Sequence, residues 1–192
     1  MIQCFIAKCN DIKLQRHYSK ELLRYSIKNV FKLEIEDEAI MRNQYGKPSF
    51  KNNEHIKFNI SHCNGLIACA VGLEEMGVDV ENIRSFDDYV VIRVCNMKEI
   101  NDIYSSHDSK RTFFTYWTMK ESLGKALGVG LHYPLRENEF IKNCDGYLCN
   151  YEGLKIKNYE IDNKFILSIC TDKNEEIILR GVNLDGREFY RI

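Results

Sequence analysis

Asp79 and Glu81, in Gly-Val-Asp-Val-Glu, and Lys120, Glu121 and Lys125, in Trp-Thr-Met-Lys-Glu-Ser-Leu-Gly-Lys, are the residues whose spacing points most directly to chemistry. Read as a β-strand, the first run puts Val78 and Val80 on one face and both carboxylates on the other, two residues apart. Read as a helix, the second puts Phe113, Trp117 and Glu121 on one stripe at i, i+4, with Lys125 one turn further on. An apolar stripe that turns into an acid and then an ammonium implies a half-buried carboxylate, which needs a metal or a basic group as partner. Two acids on one strand face repel unless a cation lies between them. Three carboxylates for a hard divalent cation, with lysines beside them, suit a site that handles phosphate. Each piece also has a plainer explanation. An Asp-x-Glu on a strand is commonly a solvated face, and Glu121 with Lys125 is an ordinary i, i+4 ion pair.

Three further positions stand out. Ser61-His62 ends an alternating run and leads into Asn64-Gly65, so the histidine is either a turn residue or, beside a phosphate, a donor to its oxygens together with a hydroxyl or backbone N–H. Lys47, in Gly-Lys-Pro, is kept out of helix and sheet by Pro48 and projects from a loop. Glu99 is either the N3 acid of a capping box opened by Asn96 or an additional acid of the site.

These residues need elements to hold them. The N-terminal run reads as a first strand, and residues 17–31 carry apolar groups at helical spacing. Residues 55–61 alternate at period two, Asn64-Gly65 signals a hairpin, the apolar run 66–71 follows, and 77–81 gives the next strand. Short helices are expected over 86–94 and 97–105, with Val90, Val91 and Val94 in the core. A longer helix over 108–127 stops at Gly128-Val129-Gly130. The rest reads as an antiparallel meander over 146–152, 154–161, 164–171 and 176–183, with turns at Asp145-Gly146 and Asp162-Asn163. Leu66–Gly72 and Phe165–Thr171 share a small-and-apolar pattern, a faint echo of duplication. The fold class is therefore α+β, as two similar halves, 1–84 and 85–192, packed around a cleft.

The 192 residues suffice for one good core, or for two small halves sharing one. With 44% hydrophobic and 29% charged residues and two prolines, the composition is that of an ordinary globular protein. A net charge of −1 gives no bulk attraction to nucleic acid, although local basic clusters can still hold a small polyanion. No stretch approaches the ~18 apolar residues that would span a bilayer, and the N-terminus lacks the pattern of a secretory signal. The eight cysteines include no Cys-x-x-Cys pair, so reduced, structural thiols in a cytoplasmic protein are expected.

In order along the chain, Tyr45-Gly46-Lys47-Pro48, Phe58-Asn59-Ile60-Ser61-His62, Gly77-Val78-Asp79-Val80-Glu81 and Trp117-Thr118-Met119-Lys120-Glu121-Ser122, with Lys125 and Gly130-Leu131, resemble the 4′-phosphopantetheinyl transferases of the type that activates surfactin synthetase. The resemblance covers residues 17–136. It implies two α+β halves related by a pseudo-twofold, acting as a monomer, with coenzyme A in the cleft. It also implies transfer of the phosphopantetheine arm to a serine of an apo acyl- or peptidyl-carrier protein, with release of adenosine 3′,5′-bisphosphate. By motif, Asp79, Glu81 and Glu121 would ligate Mg²⁺. Lys125 and His62 would contact phosphates with help from Ser61, and Lys47 would lie near the nucleotide end. Lys20 falls where the family often has an arginine for the 3′-phosphate, and Glu99 where some members carry an extra acid. Glu121 is the expected general base, with Lys120 near enough to tune it. Arg93, Met97 and Lys98 are expected carrier-protein contacts. The chain departs from the family in an abbreviated N-terminal basic segment, for which Lys13 and Arg16 are substitutes, and in Cys63, which replaces a common serine. The rival readings are another Mg²⁺-dependent phosphotransfer or phosphodiester-cleaving enzyme, and a non-catalytic coenzyme A or carrier-protein binding module.

Overall fold

Every residue of the strand β1 (Ile2–Cys9) except Gln3 and Lys8 is buried, because both faces of the strand are covered. Ile2, Cys4 and Ile6 point into one core and Phe5, Ala7 and Cys9 into another. The computed structural model describes residues 1–36, 40–144, 146–149, 151, 153–172, 174–184 and, for the backbone alone, 188–191. Positions 145, 150 and 152 of the expected meander lie outside them.

After β1 the chain forms α1 (Gln15–Phe31), the small hairpin β2 (Ile40–Arg42) and β3 (Pro48–Phe50), and then β4 (Lys57–Cys63), β5 (Gly65–Gly72) and β6 (Met76–Asn82). Three helices follow, α2 (Asp88–Val94), α3 (Met97–Ser105) and α4 (Ser109–Leu127). The remainder is β7 (Phe140–Asn143), β8 (Gly146–Cys149), β9 (Leu154–Ile161), β10 (Phe165–Asp172), β11 (Ile177–Asn183) and β12 (Glu188–Arg191). The first sheet runs β12-β11-β1-β5-β4 and the second β6-β10-β9-β8-β7. Their inner faces meet in a shared core of Ile2, Cys4, Ala68, Ala70, Val78, Val80, Leu167 and Ile169. Helix α1 covers the outer face of the first sheet, and α4 that of the second, against β6 and β10. The layers are therefore helix, sheet, sheet, helix, a mixed α+β architecture. Central strands covered on both sides read as unbroken apolar runs, as Leu66–Val71 does.

The helix boundaries follow local chemistry. Asn96 and Glu99 form both bonds of the expected capping box at the start of α3. Asp108 caps α4, and Gly128 ends it in the left-handed conformation at φ 74°. Val91 and Val94 are fully buried and Val90 packs against the same cluster, as expected, whereas Arg93, Met97 and Lys98 are exposed. All eight cysteines are free thiols. No helix among the described residues is long and apolar enough to cross a membrane.

One expectation needs correction. The last strand of the predicted meander, β11, does not extend the second sheet. It crosses to the first and pairs parallel with β1, Ile2 opposite Ile177 through Ala7 opposite Val182. Period-two alternation reports which face of a strand is buried and not which strand lies beside it. Here Ile177 and Leu179 pack on the inter-sheet core from the far side of β1. Sheet membership thus crosses residue 84 in both directions, since β6 belongs to the second sheet and β11 and β12 to the first.

Candidate active site

The strand that carries the two acids is the edge of its sheet, and so is the strand that carries Ser61 and His62. The two edges, β6 and β4, are joined by side chains in place of a backbone ladder. Asn59 Oδ1 accepts from the Val78 amide at 2.8 Å, and Ser61 Oγ accepts from the Val80 amide at 3.3 Å. Unpaired edge N–H groups are thereby satisfied at the seam between the sheets. Ser61 Oγ also donates to Asp79 Oδ1 at 2.8 Å, which fixes the rotamer of that acid.

Helix α4 lies against β6 at Gly77. A Cβ there would collide with the Ser122 carbonyl and the Ala126 nitrogen, so only glycine allows this approach. The close approach brings Lys125 onto the strand. Its Nζ donates to Asp79 Oδ1 at 2.7 Å, to the Val78 carbonyl at 3.0 Å and to Ser61 Oγ at 3.0 Å. Asp79 is 5% exposed, and its second oxygen, Oδ2, is buried with no hydrogen-bond partner. Glu81 faces outward and pairs with Arg84 Nη1 at 2.7 Å. Glu121 is half-buried. Burial, then the neighbouring Asp79, pushes its carboxyl up to about 7, with a smaller push from Glu81 and an opposing pull from Lys125. The three acids therefore repel one another, as an all-oxygen donor set for a hard cation would before the cation arrives. As they stand they are engaged by Lys125 and Arg84, and among the described residues no three His, Cys, Asp or Glu side chains are gathered into a ready-made metal cage. The unpartnered Oδ2 and the mutual repulsion are the two observations that fit a divalent cation.

Glu121 and Lys125 open onto a cleft of about 730 Å³ between α1, the β2–β3 hairpin, β4 and the end of α4. Lys20, Lys47 and His62 line the same cleft, as does Arg16, whereas Lys13 does not. Asp79 and Ser61 reach it through Lys125. The ammonium of Lys47 is already engaged by the Ala126 carbonyl at 2.8 Å and by Glu75. A hollow of about 750 Å³ bordered by Lys8, Asp11, Asp162 and Leu184 contains none of these residues.

Lys120 is not in the cleft, and the expectation that it tunes Glu121 is not met. Consecutive helical residues diverge by about 100° around the axis. Lys120 is 1% exposed, donates to the Leu135 carbonyl at 2.7 Å and meets Glu99 Oε1 at 2.9 Å. The contact with Glu99 is an ion contact out of hydrogen-bond alignment, because Oε1 has no aligned donor. Glu99 Oε2 accepts from the Asn96 amide at 2.9 Å, so this acid is both a helix cap and the partner of a sealed lysine. Burial raises its carboxyl above the usual range, against the pull of Lys120. The phase of α4 carried this signal, since Lys120 continues the stripe of Tyr116 and Leu123 at i−4 and i+3. Sequence reasoning also passed over Gly77 and Asn59. Their signals were a glycine on the face of Asp79 and an amide two residues before Ser61.

Fold and site together define a two-sheet α+β protein with a cation-lined cleft and acids at one wall. Residues 75–170 match the family model described as the 4′-phosphopantetheinyl transferase superfamily, and the chain belongs to that superfamily. It is similar to 4′-phosphopantetheinyl transferase Sfp of Bacillus subtilis (strain 168), at 27% identity over 183 residues, 86% of this chain and 82% of that protein. It is also similar to 4′-phosphopantetheinyl transferase ffp of Bacillus subtilis, at 27% identity over 186 residues, covering 88% of this chain and 83% of the relative. To 4′-phosphopantetheinyl transferase gsp of Aneurinibacillus migulanus it is 31% identical over 144 residues, 73% of this chain and 60% of that one.

Proposed function

We propose that this chain transfers the 4′-phosphopantetheine arm of coenzyme A to a serine hydroxyl of an apo acyl- or peptidyl-carrier protein. Family membership supports the reaction class. The observation that carries the site assignment is the convergence of Lys125, Ser61 and Asp79 at the seam of the two sheets, beside Glu121 and a cleft lined by cations.

In this reading the serine oxygen forms a new bond to the phosphorus that bears the pantetheine arm. The P–O–P bond breaks, and adenosine 3′,5′-bisphosphate departs. The diphosphate is anionic and repels the incoming oxygen until its charge is met. Lys125 and His62 supply donors from one wall of the cleft, and Arg16 and Lys20 extend the positive lining along α1. Glu121, half-buried on the same wall, takes the serine proton. Ser61 holds Asp79 and Lys125 in register from behind. Asp79, Glu81 and Glu121 would hold Mg²⁺, with Glu81 leaving Arg84 to do so. A bound Mg²⁺ supplies charge neutralisation at the diphosphate. The crossing of β6 into one sheet and β11 into the other is consistent with two pseudo-equivalent halves, 1–84 and 85–192, that exchange strands. We take the working unit to be a cytoplasmic monomer.

The test is incubation with coenzyme A, Mg²⁺ and a panel of apo-carrier proteins, followed by intact mass measurement. The arm is expected on the carrier serine, only when the metal is present. Coenzyme A binding without transfer to any carrier would favour a non-catalytic module.

A further inference from the structure

The turn between β2 and β3 is fastened to α4 by two side chains that the proposed chemistry does not use. Asn43 Nδ2 donates to the Gly128 carbonyl at 2.8 Å, across 85 positions of sequence. Its Oδ1 accepts from the amides of Tyr45 and Lys47, each at 2.9 Å, so the same side chain shapes the turn it belongs to. Lys47 Nζ donates to the Ala126 carbonyl at 2.8 Å and to Glu75 Oε2 at 2.5 Å, and Glu75 is held in turn by Lys57 at 3.0 Å. The last carbonyls of a helix have no partner within it and attract donors and cations. Here the hairpin provides both. Gly128 adds shape to this, because a Cβ at that position would stand 3.2 Å from Lys47 Cδ and 3.3 Å from Asn43 Nδ2.

We propose that Asn43, assisted by Lys47, is a positioning residue: a clasp that pins the Tyr45–Gly46 turn to the C-terminal end of α4. It thereby fixes the cleft wall that receives the part of coenzyme A away from the transferred phosphate. This rests on the transferase reading above. The clasp sets the distance between Tyr45 and His132, whose ring centroids are 5.4 Å apart at the mouth of the cleft. It also gives the Lys47 ammonium two partners within the protein, the Ala126 carbonyl and Glu75. Glu121 and Lys125 lie on α4 itself, and Lys125 keeps its contacts with Val78 and Asp79 when the hairpin is released, so binding changes and chemistry does not. The hairpin survives release because its own pairing, Ile40 opposite Phe50 to Arg42 opposite Pro48, does not involve α4.

Two variants separate the roles of the amide. Asn43→Ala removes the turn-shaping acceptor and the bridge. Asn43→Asp keeps the acceptor but replaces the donor facing Gly128 with a second oxygen. Both are expected to raise KM for coenzyme A about five- to tenfold, the effect of losing one or two hydrogen bonds, with kcat and the carrier-protein KM within about twofold of wild type. Both should also speed amide hydrogen exchange in residues 43–47 and 125–130. An Asn43→Asp variant with wild-type KM and exchange would reduce Asn43 to a turn residue and overturn the clasp. A fall in kcat at unchanged KM would overturn it as well. If the wild-type chain modified no apo-carrier at all, the transferase reading would fail instead. The exchange comparison would still judge the clasp, and unchanged exchange in Asn43→Ala would refute it.

Discussion

Lys120 and Lys125 stand five residues apart on one helix, each against an acid, and they have opposite fates. Lys120 is enclosed by Glu99, the Leu135 carbonyl and the ring of Phe140, at 1% exposure. The side chain of Lys125 is 25% exposed on the cleft, and the acid it meets keeps one oxygen free of hydrogen bonds. A pair sealed from solvent holds elements together, here α3 against α4. A pair with an open side can change partners when an anion or cation arrives. Access from the cleft, more than residue type, pairing distance or an unsatisfied oxygen, which Glu99 and Asp79 both keep, separates sealed from available charge in this molecule.

The difference can be broken from either side. Asp79→Ala, at the open pair, is expected to lower carrier modification by roughly 10²–10³-fold or more while the circular dichroism spectrum stays native. Near-normal turnover in a folded variant would remove Asp79 from the site. Glu99→Ala, at the sealed pair, leaves a buried ammonium without its counter-ion and is expected to cost about 3–5 kcal/mol in urea titration. Replacing both members, Glu99→Leu with Lys120→Met, should destabilise less than Glu99→Ala alone, because no unpaired charge remains. A double variant weaker than the single one would show that the charges themselves are needed.

The smallest effect concerns pH. The Glu121 carboxyl titrates near 7 in the folded chain, above its ordinary value of 4.5, so the folded state binds the proton more tightly than the unfolded one. That stabilisation is complete below about 4.5 and is lost as pH rises through 7. Melting temperature in chelator should therefore fall by a few degrees more across this window for wild type than for Glu121→Gln. Added Mg²⁺ should flatten the wild-type slope. Equal slopes for the two proteins would separate Glu121 from the other acids.

Local pattern carried much of the structure. The stop of α4 at Gly128, the Asn96–Glu99 cap and the alternation that buries Val78 and Val80 each depend on a few neighbouring residues, and each was legible. Of the candidate residues, Glu121, Lys125, His62, Lys20 and Lys47 line one cleft. What escaped depends on partners far along the chain. Lys120 is explained by residues on α3 and in the turn at 135–137, Gly77 by the backbone of α4, and β11 by the edge of β1. Periodicity identifies a face to be buried but does not name what covers it.

The pairing of β11 with β1 couples an early and a late stretch of the chain, down to Arg180 Nε on Gln3 Oε1 at 3.0 Å across 177 positions. During synthesis, β1 leaves the ribosome long before the strand that completes its outer edge exists. Strands β1, β5 and β4 can pair early, but the β11 edge of that sheet stays open until translation has passed residue 183. Completing the first sheet therefore requires closing a very long loop, a slower step than the local pairings that precede it.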